Sequence, residues 1–262
     1  MEEILRQVFG DSSDSEDWES EPYPNQRWVQ TEGIKGLWMC RDFLSPQNQS
    51  ALLSTIQNEL CGNSVLKHEW RFYYSHYQLK YVVSLQAMRF GDLPGWAAEL
   101  SDSIKEVVLS CGSDSHLIDL GSSCGGKENV SPFSPELLAR EPLFDQLILN
   151  SYQPGEGICA HVDLMRFEDG IAILSLESSC VMHFSPVEGT SGDFLVDGEK
   201  DPRTTKIPVY LTPGSLILMS GEVRYQWKHE INRKPGFQKR QGEELNQKKR
   251  ISITLRKLCQ VE

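Results

Sequence analysis

FDQLILNSYQPGEGICAHVD, residues 144–163, sets two short runs of β-forming residues on either side of a Pro154-Gly155 turn. Apolar and aromatic runs punctuated by Pro and Gly read as strands joined by a tight connection. Downstream the pattern repeats: IAILSLESSCVMHF (171–184), PVYL (208–211), GSLILMS (214–220), VRYQWKHEI (223–231) and RISITLRKL (250–258). Turn signals at Glu188-Gly189, Asp197-Gly198 and Pro213-Gly214 separate most of these runs. Many short strands at close spacing indicate a sandwich or barrel.

Upstream the periodicity changes. Ser45-Pro46 before QNQSALLSTIQNEL is a helix start, with Ser45 as cap and Pro46 in the first helical position. Leu52, Leu53, Ile56 and Leu60 then recur at helical spacing. A second helix follows Pro94, with Trp96, Leu100, Ile104, Val107 and Val108 as its apolar face. Between them, WRFYYSHYQLKYVV (70–83) is aromatic-rich and reads as strand or extended loop. The expected class is mainly β, with both helices against one outer face of the β-structure.

Residues 11–21 hold six acidic residues and four serines around Trp18, so residues 1–27 read as an acidic disordered tail. Residues 28–262 read as a single domain. Its Gly/Ser/Pro-rich stretch 111–135 reads as a flexible surface insertion.

The 262 residues, 39% hydrophobic and 24% charged, suit one large soluble domain, expected to be a monomer. No run approaches the length of a membrane span, and the acidic N-terminus lacks the features of a secretory signal. Seven cysteines with no CxxC pair point to free thiols in a reducing compartment, cytoplasmic or nuclear, although Cys111 and Cys124 could cross-link on oxidation. The net charge of −11 argues against a polyanionic partner, but its distribution softens that. Arg224 to Lys257 carries a local +8, leaving −19 elsewhere. Within it, Arg233, Lys234, Lys239, Arg240, Lys248 and Lys249 could form a basic wall for RNA or DNA, or a solvated charged loop.

His161 and Asp163 lie two apart on an expected strand and so share a face. His-x-Asp alone is weak evidence of a metal site, and a second histidine must come from elsewhere. His229, ending VRYQWKHEI, is the best candidate. Two imidazoles and a carboxylate form a facial triad with open positions, which suits non-haem Fe(II), though zinc could take the same ligands. In RISITLRKL, Arg250, Ser252, Thr254 and Arg256 alternate against Ile251, Ile253 and Leu255. Two arginines on one face of a barrel strand suit bidentate carboxylate binding, unless the strand is an edge with a polar outer face. Asn150 and Tyr152 also share a face and offer hydrogen bonds to a buried ligand.

The order Asn150-x-Tyr152, Pro154-Gly155, His161-x-Asp163, Pro213-Gly214-Ser215-Leu216, SGEVRYQWKH with His229, then Arg250-x₅-Arg256 resembles the AlkB-like 2-oxoglutarate/Fe(II) oxygenases. The resemblance covers residues 144–258, and QAMRFGDLPGWAAEL (86–100) is similar to the segment before the family's barrel. It implies a double-stranded β-helix (jelly-roll) core and iron bound by His161, Asp163 and His229. It further implies that Arg250 pairs with the distal carboxylate of 2-oxoglutarate, that Asn150 and Tyr152 assist, and that Arg256 lies near the co-substrate or the substrate entrance. The implied chemistry uses 2-oxoglutarate and O₂ to hydroxylate a C–H bond. On an N-methyl group, this ends in demethylation.

Substrate choice stays open. Trp70, Tyr73, Tyr74 and Tyr77 could stack on an unpaired or flipped base, or pack against the helices. Three functions remain: a nucleic-acid demethylase or hydroxylase, the same chemistry on a protein or small molecule, and a non-catalytic binding module.

Overall fold

The computed structural model describes residues 28–62, 71–76, 83–111, 118–119, 131–187, 206–234 and 236–260, with backbone alone at 61–62, 71–76, 83–85 and 118–119. The first half runs β1 (Trp28–Gln30), β2 (Leu37–Cys40), α1 (Pro46–Gly62), β3 (Arg71–His76), β4 (Val83–Phe90), α2 (Gly95–Cys111), β5 (Ile118–Asp119) and α3 (Pro135–Leu138). Then follow β6 (Gln146–Tyr152), β7 (Ile158–His161), β8 (Ile171–Leu176), β9 (Cys180–Pro186), β10 (Ile207–Leu211) and β11 (Leu216–Met219). The chain closes with α4 (Glu222–Gln226), β12 (Trp227–Ile231), β13 (Lys239–Arg240), β14 (Glu243–Glu244) and β15 (Arg250–Arg256).

A large sheet has the order β3-β4-β6-β15-β8-β11-β2-β1-β5, and a small one β10-β9-β12-β7. Alternation along the strands explains how they stack. Ala172, Leu174 and Leu176 of β8 and Leu216 and Leu218 of β11 share a core with Leu52, Ile56, Leu100 and Ile104 of α1 and α2. Ile171, Ile173, Ile217 and Met219 face the other way and join Met182, Phe184, Val209 and Ile231 of the small sheet. The large sheet is thus covered on both faces, by helices outside and the small sheet inside, which is why β11 is wholly apolar and β8 is broken only by the buried Ser175. The result is the expected jelly-roll with flanking helices.

The helix signals lie where the sequence puts them. The Ser45 hydroxyl accepts from the Asn48 N–H at 3.2 Å, and Trp96, Leu100, Ile104, Val107 and Val108 are buried along α2. Four expectations need correction. IAILSLESSCVMHF is two strands: the chain turns at Glu177, whose φ is 69°, and passes from the large sheet to the small one. VRYQWKHEI is only half strand, because residues 222–226 coil into α4 after Gly221, whose φ is 60°. β7 ends at His161, so Asp163 lies in the loop beyond it. The stretch 111–135 is not wholly a surface insertion: Phe133 is 1% exposed in the main core and Ser134 caps α3. Cys124 lies outside the described residues. Cys40, Cys111, Cys159, Cys180 and Cys259 are free thiols.

Candidate active site

Two small-sheet strands bring the imidazoles together. β7 pairs antiparallel with β12 so that His161 stands opposite His229, with ring centroids 4.3 Å apart. Gly157 makes this pairing possible. A Cβ there would meet the Ile231 carbonyl oxygen at 2.0 Å, so only glycine lets the start of β7 close on β12. The His161 ring donates from Nδ1 to the Cys159 carbonyl at 2.8 Å, which leaves the Nε2 lone pair free to ligate. His229 is buried, and that burial pushes its pKa down to about 4, so it presents a neutral ring.

Asp163 completes the group: one ligand atom from each of His161, Asp163 and His229 lies within 4.8 Å of the others. Burial would raise the Asp163 carboxyl, but the facing His229 and the Arg256 guanidinium outweigh it and hold the group below its ordinary range. The two oxygens are not equivalent. Oδ1 accepts from Arg256 Nη1, while Oδ2 stands 3.8 Å from His229 Nε2. Arg256 is fixed in turn by Nε donation to Gln146 Oε1 at 2.7 Å and by the Phe167 ring, 3.8 Å away. Arg256 therefore turns towards the carboxylate of the triad, not towards open space in the pocket.

β15 is a central strand, flanked by β6 and β8, which excludes the edge-strand reading. Ile251, Ile253 and Leu255 enter the helix-side core, so Arg250, Ser252, Thr254 and Arg256 face between the sheets. There they line a cavity of about 110 Å³ together with the triad, Asn150, Tyr152 and Gln86. Arg250 is 3% exposed and stacks 4.4 Å over the Tyr152 ring. Neither Nη1 nor Nη2 of Arg250 has a hydrogen-bond partner among the described residues. A buried guanidinium with both terminal nitrogens idle is costly unless an anion completes it, and a carboxylate matches its fork. The donor set and this orphaned fork together fit a metal and a dicarboxylate bound side by side.

Other expected residues fall elsewhere. Trp70 and Tyr77 lie outside the described residues. Tyr73 and Tyr74 belong to β3, where Tyr73 pairs with Gln86 and Tyr74 with Leu85. The basic stretch Arg224 to Lys257 is less exposed than its charge suggests, since Arg224, Arg250, Arg256 and Lys257 are buried. Arg233, Lys234, Lys239, Arg240 and Lys248 remain exposed.

Sequence reasoning missed two residues. Gln86 donates from Nε2 to Asn150 Oδ1 at 2.8 Å, fixing which way that amide points. Arg224 donates to the carbonyls of Asp163 (3.0 Å), Leu164 (2.9 Å) and Phe167 (2.9 Å), locking the loop that carries Asp163. Nothing in the sequence marks either one, because both act on partners some sixty residues away in the chain.

The family model described as the 2OG-Fe(II) oxygenase superfamily matches residues 36–256. The chain belongs to this superfamily. Its chemistry depends on Fe(II), 2-oxoglutarate and O₂, and the oxygenase is of the AlkB-like kind. It is 32% identical over 199 residues to the tRNA (carboxymethyluridine(34)-5-O)-methyltransferase alkbh8 of Xenopus tropicalis, covering 75% of this chain and 25% of that protein. It is 37% identical over 118 residues to the alkylated DNA repair protein ALKBH8 homolog of Arabidopsis thaliana, covering 44% of this chain and 34% of that protein. The oxygenase thus spans a quarter to a third of the length of the relatives it matches. The solved structure of OsALKBH1 superposes with a TM-score of 0.54 at 15% identity, over 87% of this chain and 99% of that one, which bears out the fold. Among the described residues, no helix is long and apolar enough to cross a membrane.

Proposed function

We propose that the oxygenase hydroxylates a carbon of a nucleic-acid substrate, RNA ahead of DNA, and that oxidation of an N-methyl group there removes the methyl. The observation that carries the chemistry is the idle Arg250 fork, which shares a cavity with His161, Asp163 and His229. His161, Asp163 and His229 would hold iron, with Asp163 ligating through Oδ2 because Arg256 occupies Oδ1. Arg250 would hold the distal carboxylate of 2-oxoglutarate, with Tyr152 beneath it and Asn150 alongside. Iron, when bound, supplies the activation of O₂ that drives C–H oxidation. The protein's own part is to keep the Asp163 carboxylate ionised and the His229 ring neutral, to orient His161 through its Nδ1 bond to the Cys159 carbonyl, and to keep the ligands rigid.

Support for nucleic acid comes from two sides. The most similar relatives include proteins named for tRNA modification and alkylated DNA repair. The loop 232–249 also exposes Arg233, Lys234, Lys239, Arg240 and Lys248. It is tied to the barrel by Gln238, which donates to Val181 O at 2.9 Å and accepts from Val181 N at 2.8 Å, and by Gln247, which accepts from Gly155 N at 2.7 Å, and its Gln247 and Lys248 line a cleft with Tyr152 and Arg250. Succinate release with Fe(II), 2-oxoglutarate and a panel of methylated oligonucleotides tests the reading. Stimulation by an oligonucleotide, lost in His161→Ala, is expected. Stimulation by a peptide or metabolite instead would overturn the substrate class.

A further inference from the structure

The loop after Asp163 combines a fixed backbone with uncommitted side chains. All five carbonyls from Asp163 to Phe167 are engaged. Arg224 takes those of Asp163, Leu164 and Phe167, the Cys259 thiol takes that of Met165 at 3.5 Å, and the Cys259 N–H takes that of Arg166 at 2.9 Å. The Phe167 N–H closes the turn onto Leu164 at 3.1 Å. Arg224 is itself 2% exposed, so the clamp is built into the core. Yet Leu164 and Met165 are 60% and 66% exposed, the highest values of any large apolar side chains among the described residues.

Single exposed apolar residues need no explanation, but here the clamp that orders the loop for Asp163 also holds a consecutive apolar pair in fixed display to solvent, one residue beyond a triad carboxylate. Tyr225 extends the surface. It is 38% exposed, and its ring lies 4.8 Å from the clamping guanidinium of Arg224. Arg166, exposed in the same loop, rests against Phe90 and Phe167 at 5.5 and 5.1 Å and supplies a cation beside the apolar pair. An apolar face with a cation one residue away complements a nucleotide, which offers a flat π-face and an anionic phosphate in the same repeat.

We propose that Leu164 and Met165 form a lip on which the base next to the target nucleotide of a single strand packs, with Arg166 at its phosphate. This rests on the reading above that the substrate is a nucleic acid. A pre-organised lip grips the flanking base at little ordering cost and so presents the target to the cavity that Asp163 lines.

The test measures binding of the full-length, Mn(II)-loaded protein, with 2-oxoglutarate present, to two fluorescent probes: an oligouridylate and an abasic strand of equal length. The wild type is expected to prefer the base-bearing strand by about ten-fold, the size expected from burying apolar side chains of this kind against a base. Leu164→Ser with Met165→Ser should erase most of that preference and leave abasic binding alone, while Leu164→Met with Met165→Leu should restore it. Arg166→Gln should weaken both probes alike and lower the salt slope by about one. Metal stoichiometry and Tm establish that each variant is folded. If the serine variant keeps the wild-type preference while oligonucleotides still stimulate wild-type succinate release, the lip is overturned and the nucleic-acid reading stands. If the wild type binds neither strand, or responds only to a peptide, both are overturned.

Discussion

Arg256 Nη1 donates to Asp163 Oδ1, and through this contact the last residue of β15 holds a carboxylate that lies beyond the end of β7. Asp163 has no strand to fix it, so a guanidinium from the opposite sheet does so. The pair is buried, and removing one partner of a buried pair costs far more than the pair contributes. Arg256→Met should lower Fe(II) or Mn(II) affinity by roughly 10- to 100-fold, the usual effect of losing a partner behind a metal ligand. A metal titration that leaves the affinity unchanged would show that Asp163 is aligned by something else.

Arg250 should behave differently. Arg250→Ala removes the idle fork but touches no triad residue. A hydrogen bond to a charged group contributes about 1.5–3 kcal/mol, so the KM for 2-oxoglutarate should rise roughly 10- to 150-fold. Metal affinity without the co-substrate should stay within about two-fold, given the usual scatter of such values. An unchanged KM would move the carboxylate anchor elsewhere on β15.

Gly157 provides a purely steric test. The Cβ of Gly157→Ala would stand 2.0 Å from the Ile231 carbonyl oxygen, so β7 must move off β12. The cost should be about 1–3 kcal/mol, seen as a lower Tm, with weakened metal binding because His161 moves with its strand. A variant as stable as wild type would mean that β7 can shift without penalty.

Arg224→Met strips the carbonyls of Asp163 and Phe167 of their donor, while that of Leu164 keeps the Phe167 N–H. At about 1–3 kcal/mol for each unsatisfied group, the loss should reach at least about 2 kcal/mol. For a chain of this size that is a drop of roughly 4–8 °C in Tm. Thermal unfolding of the metal-free protein checks it, and a shift of under about 2 °C would place the loop's stability elsewhere.

The contrast between these residues shows what the sequence carries. Arg250 was legible because strand periodicity fixes which residues share a face, and in β15 that face is the inside of the sandwich. The His161–Asp163 spacing was legible as a pair but not as geometry, since β7 stops at His161 and the loop, not the strand, aims the carboxylate. VRYQWKHEI misled because its Val, Tyr and Trp favour strand. Gly221 and the clamp by Arg224 instead hold its first half in a helical turn. Arg224 itself counted as surface charge, because no local pattern shows that a cation will be buried against backbone carbonyls sixty residues earlier.

The site is tested most directly by anaerobic titration with Fe(II) and then 2-oxoglutarate, following metal stoichiometry and the visible charge-transfer band of the chelated co-substrate. Wild type should bind one Fe(II) per chain and develop the band, and His161→Ala should do neither while keeping a folded spectrum. A His161→Ala protein that binds iron and develops the band as wild type does would contradict the assignment of His161, Asp163 and His229 as the iron ligands.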